Sequence, residues 1–175
     1  MKTWGDFGRW TSLVIVLLGL GLPGTGRAQE TETSAPEAGT PEDEARAVIR
    51  LLFEGLLESD TAVIRSAVAP GFPGLAISFR GQDGVARINF AAMDEWLAGI
   101  GQTEPGSLEE KYTVEEIRVD DGLVTVVTPY GFYFNGNFSH CGVDVFLIAE
   151  TEAGWKIVGL ADTRRRQGCE DWIDD

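Results

Sequence analysis

The sequence holds one histidine, His140, and two cysteines, Cys141 and Cys169, in 175 residues. A single imidazole excludes a two-histidine metal centre and any relay that needs two imidazoles from one chain. There is no Cys-x-x-Cys pair, no Gly-x-Ser-x-Gly elbow and no phosphate-binding loop. Gly19-Leu20-Gly21-Leu22-Pro23-Gly24 has dinucleotide-binding spacing, but it sits in an apolar run with no strand before it and no helix after it. No cofactor and no metal are therefore expected. Cations are scarce too, 14 Lys and Arg against 28 Asp and Glu, for a net charge of −14. That balance opposes nucleic acid and anionic membrane surfaces, because binding to either polyanion depends on neutralising cations.

Long apolar runs are also missing. The most apolar segment, Thr11 to Leu22, falls short of the roughly 20 residues that span a bilayer and fits the core of a signal peptide. Pro23 and Gly24 break it, and Gly26-Arg27-Ala28 places small residues at the two positions a signal peptidase reads. Residues 1–28 are predicted to be a cleaved signal peptide, so the mature protein is expected to be exported, periplasmic or extracellular, without membrane association after cleavage. Lys2, Arg9, Arg27 and Asp6 leave with the signal, which makes the net charge two units more negative. Residues 29–40 lack large apolar side chains and carry only acidic charge, the composition of a flexible leader. Residues 41–175 remain as one domain, long enough to bury a core.

Within that domain the period of apolar residues changes along the chain. Thr40-Pro41-Glu42-Asp43 supplies an N-cap, a first-turn proline and acids at the positive end of a helix dipole. Ala45, Val48, Ile49, Leu52 and Leu56 then recur on one helical face, widened by Phe53 and Leu57, as far as about Glu58. Ser59-Asp60 caps a second helix, Thr61 to Val68, which Pro70-Gly71 ends. Leu75, Ile77 and Phe79 alternate as a strand, Gly81 to Gly84 turns, and Val85 to Phe90 returns. Phe90, Met93, Trp96, Leu97 and Ile100 fit a short amphipathic helix, and 101–108 reads as a loop. Long strands follow at Tyr112–Val119, Leu123–Phe134, Phe138–Ala149 and Trp155–Asp162, joined at Asp121-Gly122, Asn135-Gly136 and Glu152-Ala153-Gly154. Helices first and an antiparallel sheet last give an α+β fold.

The last hairpin reads Ser139-His140-Cys141-Gly142-Val143-Asp144-Val145-Phe146-Leu147-Ile148, then Gly154-Trp155-Lys156-Ile157-Val158 and Ala161-Asp162-Thr163-Arg164. With the element order over Glu42 to Cys169, it resembles the nuclear transport factor 2-like superfamily, in particular its bacterial lumazine-binding-like and polyketide-cyclase-like (SnoaL-like) branches. The resemblance implies a cone: N-terminal helices packed in a curved antiparallel sheet around a pocket. It implies no single activity, because that fold hosts isomerases, dehydratases, cyclases, transport factors and plain binding modules.

Side chains alternate along a strand, so Phe138, His140, Gly142, Asp144, Phe146 and Ile148 are expected on one face, with Cys141, Val143, Val145 and Leu147 on the other. The first face is aromatic and carries two ionisable groups, a fitting pocket lining. His140 and Asp144 stand about 13 Å apart along a strand and cannot bond directly. A partner for His140 would come from Tyr130, Tyr133 or Asp162, and one for Asp144 from Arg80 or Arg87. Tyr130, Tyr133, His140, Asp144, Trp96 and Asp162 are the candidate pocket residues. His140 or Asp144 is the candidate general base and Tyr130 an oxyanion donor, should the domain be an isomerase, dehydratase or cyclase.

Plainer roles compete: His140 as a hydrogen-bonded sheet residue, Tyr130-Gly131-Phe132-Tyr133-Phe134 as core, and Arg164-Arg165-Arg166 as a solvated strand end, with an anion contact or salt-bridging of Glu170-Asp171 as its alternatives. The favoured reading is a non-catalytic exported domain that binds a small apolar or aromatic molecule, or a partner protein. The aliphatic sheet face is a candidate homodimer contact. Asn137-Phe138-Ser139 fits a glycosylation acceptor. Cys141 and Cys169, an even pair in an exported chain, are predicted to form a disulfide. Zinc held by His140, Cys169 and carboxylates would match no known ligand spacing.

Overall fold

A computed structural model describes residues 39–81 and 83–169. The predicted signal peptide, most of the leader and the Glu170-Asp171 tail lie outside these residues. Helix α1 (Pro41–Leu57) starts where the Thr40 side chain accepts a hydrogen bond from the Asp43 backbone N–H, with Glu42, Asp43 and Glu44 in the first turn. Helix α2 (Thr61–Ala67) is capped by Asp60, whose carboxylate accepts from the N–H groups of Ala62 and Val63. Strands β1 (Gly74–Arg80) and β2 (Ala86–Ala92) form a hairpin that leads into α3 (Met93–Ile100). Strands β3 (Leu108–Tyr112), β4 (Glu116–Asp120), β5 (Leu123–Phe134), β6 (Asn137–Thr151) and β7 (Gly154–Arg164) complete the fold. No helix among the described residues is long and apolar enough to cross a membrane.

The expected α+β architecture is present. The strands form one sheet in the order β2-β1-β7-β6-β5-β3, with β4 also paired to β5. All pairings are antiparallel except β1 with β7. The Asp121, Asn135, Gly136 and Gly154 turns adopt positive φ, as their residue types allow. Helix α1 packs against β3, β4, β5 and β7. Its Ile49 and Leu52 share a core with Val124 and Val126 of β5, Phe146 and Ile148 of β6, and Ile157 of β7.

Three local expectations change. The single strand foreseen over Tyr112–Val119 is split into β3 and β4, and Pro129 is the physical reason. Thr113 donates to the Pro129 carbonyl, but Pro129 has no N–H to return on the same side of β5, so the ladder lapses. Phe90, read both as the end of a strand and as the start of the α3 stripe, is on β2 and 81% exposed, whereas Met93, Leu97 and Ile100 are buried. Phe138 does not share a face with His140. The register shifts between Phe132/His140 and Tyr133/Phe138, so Ser139 is an extra residue that turns Phe138 towards Tyr133, ring centroids 5.8 Å apart.

Candidate functional site

A cavity of about 380 Å³ lies between α1, α3 and the inner face of the sheet. The helical period of α1 that aims Leu52 and Leu56 at the core also turns Phe53 to this cavity, and α3 contributes Trp96 and Ile100. Phe132, Phe146 and Leu160 close the apolar wall from the sheet. The polar wall comes from three strands. Pairing sets Glu110 of β3 beside Phe132 of β5, and Phe132 beside His140 of β6. Asp144 of β6 is paired with Asp162 of β7, and Arg164 lies two residues further on the same face.

Asp144 and Asp162 are each only 5% exposed. Arg164 Nε donates to Asp162 Oδ2 at 2.8 Å, and Nη2 of the same guanidinium forms the ion pair with that oxygen, also at 2.8 Å. Asp162 Oδ1 and Asp144 Oδ2 are buried without a hydrogen-bond partner. Burial pushes the Asp144 carboxyl well above the usual range, and the charges of Glu110 and Asp162 push it the same way. The protonated form of Asp144 is therefore favoured, with Glu110 as the neighbour that interacts with it most directly. Glu110 is pushed up to about 7, chiefly by desolvation. Asp162 is raised by burial, against the lowering effect of Arg164.

His140 is half-buried, its ring tilted against Phe132 with centroids 5.0 Å apart and edge-on to Tyr130 at 5.8 Å. Its Nδ1 is 3.1 Å from the Ser139 hydroxyl. Desolvation, with positive Arg164 and Arg166 nearby, lowers it to about 4, so the ring is neutral near pH 7.

Of the residues singled out in the sequence, His140, Asp144, Trp96 and Asp162 line the cavity. Tyr130 and Tyr133 are not among its lining residues. Tyr130 is 2% exposed and its hydroxyl donates to the Thr163 carbonyl at 3.0 Å, so that hydrogen is committed rather than aimed at a ligand oxygen. Gly142, opposite Tyr130 across the β5–β6 pair, makes this approach possible, because a Cβ there would run into both the Thr163 carbonyl and the Tyr130 ring. Tyr133 packs on Phe138 on the outer face, with Lys111 Nζ 5.2 Å from its ring centre.

Arg80 and Arg87 do not reach Asp144. Arg80 donates to the Gly84 carbonyl and Arg87 to Asp83, both within their own hairpin. The residues the sequence reading missed are Glu110 and Arg164. Glu110 falls between the expected loop and the expected strand; the alternation Leu108, Glu110, Tyr112, with both neighbours packed on the core, is the available signal. Arg164 continues the inward series Leu160, Asp162, Arg164 beyond where the strand was expected to end.

The expected Cys141–Cys169 disulfide is present, with Cα atoms 5.9 Å apart. Cys141 and Cys169 are both buried on the face of β6 away from His140, where the Cys141 and Arg165 backbones exchange hydrogen bonds. No group of three or more His, Cys, Asp or Glu among the described residues has a metal-holding arrangement.

No family model and no curated protein matches the sequence. Solved structures do. A nuclear transport factor 2-like protein of unknown function from Shewanella baltica aligns with a TM-score of 0.53 at 14% identity, over 75% of this chain and 100% of that one. A second such protein, from Shewanella oneidensis, gives 0.54 at 19% identity, over 70% and 98%. A domain of unknown function with a cystatin-like fold from Nostoc punctiforme gives 0.54 at 15% identity, over 77% and 83%. The helices, the strand order and these alignments agree: the chain has the nuclear transport factor 2-like fold.

Proposed function

We propose that this is an exported, non-catalytic domain that holds a small, mostly apolar or aromatic molecule in the cavity between α1, α3 and the sheet. The observation that carries this is the cavity itself: about 380 Å³, walled by Phe53, Trp96, Phe132 and Phe146, with its ionisable groups on the sheet side except Glu95 of α3. That volume and that division of the walls are those of small-molecule sites. Export is supported by the disulfide, which persists in oxidising compartments. The fold alone favours no branch, so a lumazine or polyketide ligand has no special standing here.

The test is a panel of aromatic and alicyclic compounds read by thermal shift and by Trp96 fluorescence. A binder at about 100 times its Kd stabilises the protein by about 2.7 kcal/mol. Leu160→Trp, which places a large ring in the cavity, should abolish that shift while the unliganded protein still melts cooperatively. A panel that yields no stabilisation overturns the proposal.

One observation favours a second reading, a proton-transfer enzyme. Glu110 is pushed up to about 7 and interacts with the raised Asp144 carboxyl, a property of acid–base sites. In that reading the base is the Glu110–Asp144 pair, because His140, lowered to about 4, accepts a proton only weakly. Loss of turnover in both Glu110→Gln and Asp144→Asn, with melting temperature maintained, would establish it.

A further inference from the structure

Two carboxylate oxygens of residues that line the cavity are buried without a hydrogen-bond donor. Asp144 Oδ2 and Asp162 Oδ1 lack partners, and both residues are 95% removed from solvent on the cavity wall. A buried polar atom left without a hydrogen bond keeps its full desolvation penalty, and two on one wall are best satisfied by a single group with several hydrogens. The charge of the wall points the same way. Glu95, Glu110, Asp144 and Asp162 line the cavity against one guanidinium, Arg164, which is already paired with Asp162 Oδ2. An anionic ligand would meet this wall as a repelled guest. A cation with N–H donors would complete it.

We infer that the ligand of this cavity is an amine: an ammonium group seated among Glu110, Asp144 and Asp162, carried on an apolar or aromatic body that lies against Trp96 and Phe132. This rests on the proposal that the cavity binds a small molecule, and it names the head group of that molecule. An ammonium brings up to three donors, enough for Asp144 Oδ2, Asp162 Oδ1 and the Glu110 carboxylate together. It also neutralises the excess of acids over Arg164.

Binding is then coupled to proton release. Without a ligand cation, burial and the neighbouring acids favour the protonated Asp144 carboxyl, and Glu110 titrates near 7. The groups that face them are Asp162 and Arg164 on β7, His140 on β6 and Tyr130 on β5, with Glu95 of α3 across the cavity. His140 is neutral above about 4 and Tyr130 is raised further from neutrality, so neither titrates in the window concerned. A bound ammonium favours the ionised carboxylates, so amine affinity rises with pH through about 7 and protons leave as the ligand enters.

The experiment is isothermal titration of the purified protein with three molecules of like size: 2-phenylethylamine, 2-phenylethanol and 3-phenylpropanoate. Near pH 8 the amine is expected to bind about tenfold or more tightly than the alcohol, and the carboxylate most weakly. Towards about pH 5 the amine should lose that advantage, because Glu110 and Asp144 hold their protons there. Buffers of different ionisation enthalpy should report protons released on amine binding and none on alcohol binding. Glu110→Gln and Asp144→Asn should each remove the amine preference. Should a variant fail to fold, the proton release of the unaltered protein still decides the matter. An alcohol that binds as tightly as the amine at every pH overturns the amine head group and leaves the small-molecule proposal standing. A carboxylate that binds best does the same. Failure of all three to bind overturns both.

Discussion

The two faces of strand β6 differ in what they do for stability. On the outer face, Cys141 is bonded to Cys169, and Val145 and Leu147 stand 41% and 38% exposed. On the inner face, Phe146 and Ile148 are fully buried, and Asp144 is buried beside them with an oxygen unpartnered. One face fastens the chain; the other holds polar groups against their own desolvation penalty. Proteins retain such a penalty where a ligand or a reaction offsets it. The comparison therefore predicts that changes on the outer face act on stability and leave the cavity alone, while changes around Asp144 act on the cavity and can even stabilise the fold.

The largest effect belongs to the disulfide. It closes a loop of 28 residues in sequence separation, for which the chain-entropy model gives about 3–4 kcal/mol. Reduction, or Cys169→Ser, should lower the melting temperature by about 10 °C in scanning calorimetry, with affinity for any cavity ligand unchanged well below the new midpoint. If reduction instead weakened ligand binding while the fold persisted, the separation between the faces would fail. Next comes Gly142→Ala, where the added Cβ would collide with the Thr163 carbonyl and the Tyr130 ring. Overpacking of this kind costs about 1–3 kcal/mol, read from denaturant midpoints. Gly71, where nothing lies within 4 Å of the position of an added Cβ, meets no such collision.

The sign reverses at the carboxyl cluster. Asp144 and Glu110 have folded-state pKa values raised above their ordinary 3.8 and 4.5. Such groups favour the folded state fully below about 4, and that contribution is lost as the pH rises through about 7. The protein without ligand should thus melt higher near pH 5 than near pH 8, and Asp144→Asn should flatten that slope while stabilising the protein at pH 8 by about 1–2 kcal/mol. A variant that melts lower at pH 8 would mean that the cluster is a structural network.

How much of this was legible before any coordinates existed follows from which interactions are local. The capping at Thr40, the α1 stripe and the hairpin turns at Asp121 and Asn135 are short-range and were readable. The disulfide was readable because only one intramolecular pairing of Cys141 and Cys169 exists. The inner position of Asp144 followed from alternation. What did not follow came from partners on other strands. The break between β3 and β4 is written in Pro129, on the neighbouring strand. Phe138 left its expected face because of an extra residue in the register with β5. Arg164 and Glu110 meet Asp144 only through the β7–β6–β5–β3 order, which no single strand encodes. Two of the five ionisable groups on the polar wall therefore fall outside the expected strands: Arg164 at the end of β7, and Glu110 in a five-residue strand that leaves alternation few residues to act on.

The smallest effect separates two roles for one residue. Tyr130 lies between the faces: its ring packs edge-on to His140 on the inner side, and its hydroxyl reaches across the backbone to the Thr163 carbonyl. If that bond is its main use, Tyr130→Phe removes one hydrogen bond to a carbonyl and costs about 1 kcal/mol, with ligand affinity unchanged. If the hydroxyl were an oxyanion donor, the same change would leave stability nearly untouched and depress turnover about a hundredfold or more. The two outcomes lie on different axes, a melting curve and a rate. The Thr163 bond is 3.0 Å long and the phenol is raised by burial and by the nearby acids, so its hydrogen is held and directed at the main chain. Loss of stability without loss of binding is the expected result, and it would place Tyr130 with the disulfide among the groups that fasten the sheet.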